Sequence, residues 1–292
     1  MTVTLITGTS TGIGQAAALH FARKGHHVFA SMRDPERGGQ PLRDAARSEN
    51  LNLEILRIDV DDGESVQRGV AAVLDSAGHV DVLINNAGIG GGGPFEETTD
   101  DIWHALMETN FHGAVRMTRA VLPGMRVRRS GAIVQVTSTG GRVAAATTAA
   151  YTASKFALEA ASEALAQEVR RFDIRVVIVE PGVILTPIFL KVRRKPDLTS
   201  PYVEFQLRAA QFYMTRLLKH PPAPASLVAE VIDQALSADP PRLRWPAGWD
   251  AEAMIKGRQR MSDEEWVNFG GAMSDEEFVA ALREQLGIAL DQ

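Results

Sequence analysis

The sequence contains no cysteine. Disulfide bridges and cysteine-based metal sites are therefore excluded, and the absence agrees with a reducing compartment. Long apolar runs are missing too: no stretch approaches the roughly 18 residues that a membrane-spanning helix requires. An apolar strand already begins at residue 2, which leaves no room for a signal peptide; the expectation is a soluble, intracellular, cytoplasmic protein. A basic arm or stripe is equally absent, and a formal net charge of −5 offers no electrostatic footprint for nucleic acid. The seven histidines are scattered, and neither His26-His27 nor His104 with His112 forms a ligand set with nearby acids, so no metal is indicated. Tyrosine is scarce: three occur in 292 residues, and one of them stands in the most informative pattern of the chain.

That pattern is Tyr151-Thr152-Ala153-Ser154-Lys155. Four residues apart on a helix, the phenol and the ammonium share one face. A neutral tyrosine, with a pKa near 10, is a poor base at pH 7; a cation held beside it favours the phenolate and brings the group into range for proton transfer. Two helix-surface residues would show the same spacing, so the context decides. Near the N-terminus a buried strand over residues 2–7 runs into Gly8-Thr9-Ser10-Thr11-Gly12-Ile13-Gly14 and then an apolar helix over residues 15–23. Strand, glycine turn and helix make a phosphate cradle. Gly8 permits the tight turn, Gly12 lets the backbone approach a pyrophosphate, Gly14 permits close helix-to-strand packing, and the helix N-terminus supplies N–H groups and a positive dipole end.

Further strands are expected at residues 27–32, 53–60, 80–85, 131–138 and 174–180, with a short seventh at 243–245. Helices are expected at 63–77, 99–128, 149–172 and 227–238. This alternation predicts an α/β fold with a doubly wound parallel sheet. At 292 residues and 45% apolar content the chain is expected to form a single domain, residues 1–292, with no separating linker. Pro221-Pro222-Ala223-Pro224 and Pro240-Pro241 read as rigid turns within it.

Thr7-Gly8-x-x-x-Gly12-x-Gly14, Asn85-Asn86-Ala87-Gly88, Asn110, Ser138, Tyr151-x-x-x-Lys155 and Pro181-Gly182 occur in the order and spacing of the short-chain dehydrogenase/reductase family. The resemblance covers about residues 1–186. Within that family, Ser31-Met32-Arg33-Asp34, Gly93-Pro94-Phe95-Glu96 and the run from Ala153 to Glu159 look most like the 17β-hydroxysteroid and retinol dehydrogenase branch. The resemblance implies a Rossmann fold and an NAD(P)-dependent oxidoreductase interconverting a carbonyl compound and its alcohol. It implies that Tyr151 is the acid and base, and that Ser138 hydrogen-bonds the substrate oxygen. Lys155 is implied to lower the phenol's pKa and hold the nicotinamide ribose. Asn110 is implied to fix a water in a proton relay, although a polar residue within a helix also bonds backbone. Asp59 and Val60 would hold the adenine, and Asn86, Ala87 and Gly88 would let the cofactor lie close to the sheet edge. Pro181, Gly182, Val183 and Thr186 would contact the nicotinamide. A homodimer or homotetramer, formed through the helices bearing Asn110 and Tyr151, is the family expectation.

The end of the second strand bears on NADP(H) against NAD(H). An acidic residue usually stands there to bond the ribose hydroxyls, but the place aligns with Met32 and is followed by Arg33. A guanidinium without the carboxylate favours a 2′-phosphate, hence NADP(H). Local pairing of Arg33 with Asp34 or Glu36 is the alternative, and Asp34 is near enough to keep NAD(H) open.

Residues 187–226 form the expected substrate lid, apolar and aromatic at Ile188, Phe189, Leu190, Tyr202, Phe205, Phe212, Tyr213, Met214 and Leu217. This favours a bulky hydrophobic carbonyl or alcohol as substrate, though a core-packing helix would look similar. Lys191, Arg193, Arg194 and Lys195 read as a solvated face, with an acidic substrate tail as the alternative. The glycine run 90–93 reads as a loose loop, or as a wider substrate entrance. Residues 246–292 make a C-terminal extension holding two related pieces, Met261 to Trp266 and Met273 to Phe278. In each, a serine precedes a glutamate by three positions, a capping box that predicts two short helices. Trp245, Trp249 and Trp266 are expected to anchor the extension.

Overall fold

A computed structural model describes residues 1–188, 197–207, 222–270 and 275–286. Seven strands form one parallel sheet: β1 (Val3–Thr7), β2 (His27–Met32), β3 (Leu53–Arg57), β4 (Val82–Asn85), β5 (Gly131–Val136), β6 (Ile174–Pro181) and, after the two-residue strands β7 (Ile184–Leu185) and β8 (Ala223–Pro224), β9 (Arg244–Ala247). Their order is β3-β2-β1-β4-β5-β6-β9, and β7 pairs with β8 in a separate small sheet. The inner strands are near-continuous apolar runs because helices cover both faces; every residue of β1 and β4 is buried.

On one face, Ala17, Ala18 and Phe21 of α1 (Gly12–Arg23) and Val228, Ala229 and Ile232 of α8 (Ala225–Ser237) meet Ile6, Val28, Ile84, Val134 and Val177. Short helices α2 (Pro35–Gly38) and α3 (Gln40–Ser48) close that side. On the other face, α4 (Gly63–Ala77) and α6 (Gly113–Arg128) present Val66, Val70, Met117, Val121 and Met125 to Val3, Leu5, Phe29, Leu83 and Ile133. Alternate residues of β1 thus feed opposite cores, as the strand's period of two dictates. Completing the chain are α5 (Asp100–Met107), α7 (Ala149–Val169), α9 (Trp249–Arg260), α10 (Asp263–Gly270) and α11 (Asp275–Leu286).

Several boundaries differ from the sequence expectation. β3 stops at Arg57, not residue 60, so Asp59 and Val60 lie in the loop beyond it. β5 stops at Val136, and Ser138 caps a 3-10 turn, Thr139–Gly141, its Oγ accepting from Gly140 N at 3.0 Å. The single helix expected at 99–128 is α5 and α6 joined through a π-helical turn, Glu108–His112, that contains Asn110. Helix α1 begins at Gly12, earlier than residue 15. Helices α2, α3 and α9 were not anticipated. The Asp239–Pro240 peptide in the expected proline turn is cis.

In the extension, the capping box at the start of α10 is formed in both directions: Glu265 N donates to Ser262 Oγ at 3.1 Å and Ser262 N to Glu265 Oε2 at 2.7 Å. Helix α11 follows as expected, and its predicted capping serine, Ser274, lies outside the described residues. Phe269, Leu282 and Leu286 pack with Met254, Trp266 and Phe278 in a small core of their own. Trp266 Nε1 donates to Ala144 O at 2.9 Å, and Trp245 packs on the main core, whereas Trp249 is 46% exposed. Of the expected lid, residues 189–196 and 208–221 lie outside the described residues, including the basic run and Phe212, Tyr213, Met214 and Leu217.

Candidate active site

β1 has β2 on one side and β4 on the other, so the chain changes direction across the sheet there, and a crevice opens at the strands' C-terminal ends. The loops after β1, β4, β5 and β6 all empty into it. The result is a cleft of about 1000 Å³.

Its floor at one end is the glycine turn. Gly8 (φ +70°) and Gly12 (φ +63°) adopt left-handed backbone that disfavours side chains, and a Cβ on Gly8 would lie 2.7 Å from Ala87 Cα. A Cβ on Gly14 would lie 2.4 Å from both Gly8 O and Asn86 Nδ2, so Gly14 is packed beneath the turn and does not line the cleft. Ser10, Thr11, Gly12 and Ile13 do line it. Thr11, at the N-cap of α1, makes no side-chain cap bond, which leaves the first-turn N–H groups to an anion. Asn86 holds the turn from β4, its Nδ2 donating to Thr7 O at 2.9 Å and Gly8 O at 3.2 Å; its amide is a brace for the cradle. Thr186 passes over the same turn, with its Cγ2 3.1 Å from where a Gly12 Cβ would be. The glycines let the turn pack tightly against Ala87, Asn86 and Thr186 while the uncapped start of α1 faces the cleft, so the residues present fit the pyrophosphate of a dinucleotide.

Arg33 and Arg37 line the cleft beside Asp34, Asp59, Val60 and Asp61. Asp34 is occupied locally, accepting from Arg37 N at 3.0 Å as the N-cap of α2, and Glu36 pairs with Arg43 at 3.3 Å. Among the described residues Arg33 makes no ion pair, so the local pairing considered for it is not formed. Burial raises the carboxyl pKa of Asp61, opposed by its hydrogen bond from Thr109.

At the other end, Ser138, Tyr151 and Lys155 converge on the cleft. Thr137 and Thr139 are buried and Thr137 is bonded inward, so of the three neighbours Ser138 alone is half-exposed to the cavity with its hydroxyl proton available. Tyr151 and Ser138 meet around Gly140, where a Cβ would lie 3.0 Å from Tyr151 Cε1 and 3.5 Å from Ser138 Oγ. Lys155 Nζ is 5.9 Å from the Tyr151 ring centre and donates to Val136 O at 3.2 Å. Burial lowers the ammonium's pKa to about 8, with Glu159 opposing, so at neutral pH the cation persists.

Asn110 is 1% exposed and does not line the cleft. Its Oδ1 accepts from Ile89 N at 2.8 Å, and its Nδ2 donates to Ile89 O at 3.1 Å and Ser154 Oγ at 3.0 Å. The amide therefore locks the loop after β4 to α7, and both its protons are used. The glycine run 90–93 is a loop without regular structure, as expected, and all four residues line the cleft; Gly90 lies against Ile188, and a Cβ on Gly92 would be 3.0 Å from Thr147 O. Thr147 itself has φ +65°, a strained conformation for a β-branched residue.

Pro181, Gly182, Val183 and Thr186 line the cleft beyond β6. Their loop is clamped by a residue that the sequence did not single out. Asp250 at the start of α9 is 1% exposed and accepts from Val183 N at 2.7 Å, and its carboxylate fills the space beside Gly182. Met254, one turn along α9, joins Ile188 and Gln206 in the wall. An acid 67 positions from its partner carries no signal in sequence. Among the described residues, no group of three His, Cys, Asp or Glu side chains is placed to hold a metal ion, and no helix is long and apolar enough to cross a membrane.

Residues 2–197 match the family model described as short chain dehydrogenase. The 3-ketodihydrosphingosine reductase of Bacteroides thetaiotaomicron is 41% identical over 181 residues, a match covering 62% of this chain and 63% of that protein's length. Retinol dehydrogenase 8 of Bos taurus is 35% identical over 253 residues, covering 82% of this chain and 80% of its own. The 17-beta-hydroxysteroid dehydrogenase type 1 of Mus musculus is 34% identical over 286 residues, covering 95% and 82%. A solved short-chain dehydrogenase from Streptomyces avermitilis superposes with a TM-score of 0.78 at 36% identity, over 88% of this chain and 92% of that one.

Proposed function

We propose, because this chain belongs to the short-chain dehydrogenase family, that its cleft exchanges a hydride between NADP(H) and a bulky apolar carbonyl compound or its alcohol, with Tyr151 as acid and base. Family membership makes the protein an NAD(P)-dependent oxidoreductase acting on CH–OH and carbonyl groups. The residue roles, the cofactor preference and the substrate class are our reading. When bound, the nicotinamide supplies or accepts the hydride.

In the reductive direction Tyr151 gives its phenolic proton to the carbonyl oxygen, and in oxidation it takes the proton back. Ser138 Oγ already accepts from Gly140 N, so its own O–H is directed to the substrate oxygen and stabilises charge developing there. Lys155 stands beside the phenol as a cation, favours its ionised form and would hold the nicotinamide ribose. The cradle of Gly8, Ser10, Thr11, Gly12 and Ile13 would hold the pyrophosphate, with Gly14 and Asn86 shaping it from behind. Asp59 and Val60 would hold the adenine; Ala87, Gly88, Pro181, Gly182, Val183 and Thr186 would line the nicotinamide half. Asn110 braces the loop after β4, and with both amide protons engaged its side chain has none left to hold a relay water. Arg33, lining the cleft without an ion pair among the described residues, supports the 2′-phosphate and hence NADP(H). Ile188, Met254, Val183 and Ile184 in the wall support an apolar substrate, in keeping with relatives named for a ketodihydrosphingosine, a retinol and a 17β-hydroxysteroid.

The observation that carries this reading is the convergence of Ser138, Tyr151 and Lys155 on the cleft that the glycine turn also lines. Its test is oxidation of NADPH and of NADH, in parallel, across a panel of steroidal, retinoid and aryl ketones and aldehydes. Faster turnover with NADPH on the bulky members is expected. Preference for NADH would overturn the assignment of Arg33, and turnover confined to small polar carbonyls would overturn the substrate class.

A further inference from the structure

Tyr151, Lys155 and Glu159 stand on three successive turns of α7, and the mechanism uses only the first two. Glu159 is 4% exposed, a rare state for a carboxylate unless it is partnered. It is partnered from two strands. The hydroxyl of Thr137, just past β5, donates to Oε1 at 2.7 Å, and Nε of Arg244 on β9 donates to Oε2 at 3.0 Å. Arg244 also reaches Glu163 at 2.6 Å on the rim and Glu180 at 3.8 Å, while Arg142 pairs with Glu180 at 3.1 Å. Glu180 is 1% exposed, and burial, followed by the neighbouring Glu159, raises its pKa.

Burying so many charges is a poor route to stability, because desolvation offsets most of what the pairing returns. A different role is suggested by what the network adjoins. Lys155, 5% exposed, has Val136 O as its hydrogen-bond acceptor, and among the described residues no carboxylate lies within ion-pair distance of its ammonium. Along its helix the next group toward the interior is Glu159, at the i+4 position where side chains face one another. Around Lys155 and Glu159 the charged or titratable groups are Tyr151 and Glu163 on α7, Arg142 after the 3-10 turn, Glu180 on β6 and Arg244 on β9. Glu159 is the one carboxylate tied both to the Lys155 face of α7 and, through Thr137, to the residue preceding Ser138.

We propose that Glu159 is a positioning residue, whose buried carboxylate is the counter-charge that keeps Lys155 an ammonium, with Thr137 and Arg244 fixing where that charge stands. The inference rests on the reading of Lys155 as the cation beside Tyr151. Arg244 has the opposite influence on the ammonium, since it neutralises Glu159, so the two residues set the cation's strength between them.

The test is NMR titration of the free enzyme labelled with [13Cε]lysine, with Lys155→Arg identifying the Lys155 signal. In the wild type the midpoint is expected at about 8. Glu159→Gln keeps an oxygen for Thr137 but removes the charge, and is expected to lower the midpoint by about one pH unit. Glu163→Gln, on the exposed rim, is expected to leave it in place. Arg244→Gln is expected to raise it, a result that stands even if Glu159→Gln fails to fold; because hydration of a loosened site would also raise it, the lowering in Glu159→Gln is the sign that loss of packing does not produce. A midpoint unmoved or raised by Glu159→Gln, or unmoved or lowered by Arg244→Gln, overturns the proposal. The alkaline limb of kcat for carbonyl reduction, measured on the same variants, is expected to follow the midpoint. A midpoint that moves while that limb stands still would leave the assignment of Glu159 intact and overturn the role given to Lys155.

Discussion

Arg33 and Gly182 show how differently single residues announce themselves. Arg33 is a candidate by type and place: a cation directly after Met32, which stands where a dinucleotide site usually puts a carboxylate. Removing a charged hydrogen-bond partner costs about 1.5–3 kcal/mol. Arg33→Ala is therefore expected to weaken NADPH about 10- to 100-fold and leave NADH within a few-fold, as read by calorimetric titration of each cofactor. Gly182 was legible as part of Pro181-Gly182, but the reason for glycine was not. That reason is Asp250, whose Oδ2 would lie 2.2 Å from an added Cβ, while the same carboxylate bonds Val183 N at 2.7 Å. Overpacking of this kind costs about 1–3 kcal/mol. Gly182→Ala should lower the melting temperature and raise KM for the cofactor together, because the loop that shifts is also a wall of the cleft. Unchanged KM in a destabilised variant would separate the loop from cofactor binding. Pairings such as Asp250 with Val183 depend on distance in space, so neither residue type nor spacing reveals them.

Elements with a strong hydrophobic period were legible nearly to their ends. β2 and α4 begin and end where periodicity and turn residues put them, α4 being closed by Asp62 as N-cap and by Gly78 at φ +78°. The π-helical turn at Glu108–His112 was not legible, since it changes the hydrogen-bonding ladder while leaving the apolar pattern of the helix almost intact. Its consequence falls on Asn110, which faces the loop after β4 and bonds both polar groups of Ile89. Asn110→Ala would leave those groups unpaired, at about 1–3 kcal/mol each. A fall of several degrees in melting temperature is expected, and the loop's amides should lose hydrogen-exchange protection ahead of the sheet. Equal loss of protection throughout would place the effect elsewhere. Short α2 and α3 escaped notice because their mean composition is polar and few residues are buried, Leu42 being the one buried residue in α3.

For the molecule as a whole, a doubly wound parallel sheet was legible, because alternating apolar strands and amphipathic helices leave few other topologies, whereas the cleft at the change of strand order was seen only in the structure. The placement of the C-terminal extension was not: its capping box announces a helix, but not that Trp266 bonds Ala144 or that Met254 reaches the cleft. The core formed by Phe269, Leu282 and Leu286 is too small to stand alone. Calorimetry is therefore expected to show one transition, with the extension melting together with the sheet; a separate, earlier transition would make it an independent unit. Under the proposed function turnover belongs to this scale as well, since that reading draws on the cradle, the Ser138 loop, α7 and the clamp from α9 together. The most direct test of the central claim is kcat for carbonyl reduction by Tyr151→Phe, with the cofactor Kd measured on the same preparation. Loss of the positioned proton donor is expected to lower kcat about 10²- to 10⁴-fold while Kd stays within a few-fold of the wild type. A variant that binds cofactor normally and turns over at the wild-type rate would contradict the assignment of Tyr151 as the acid and base.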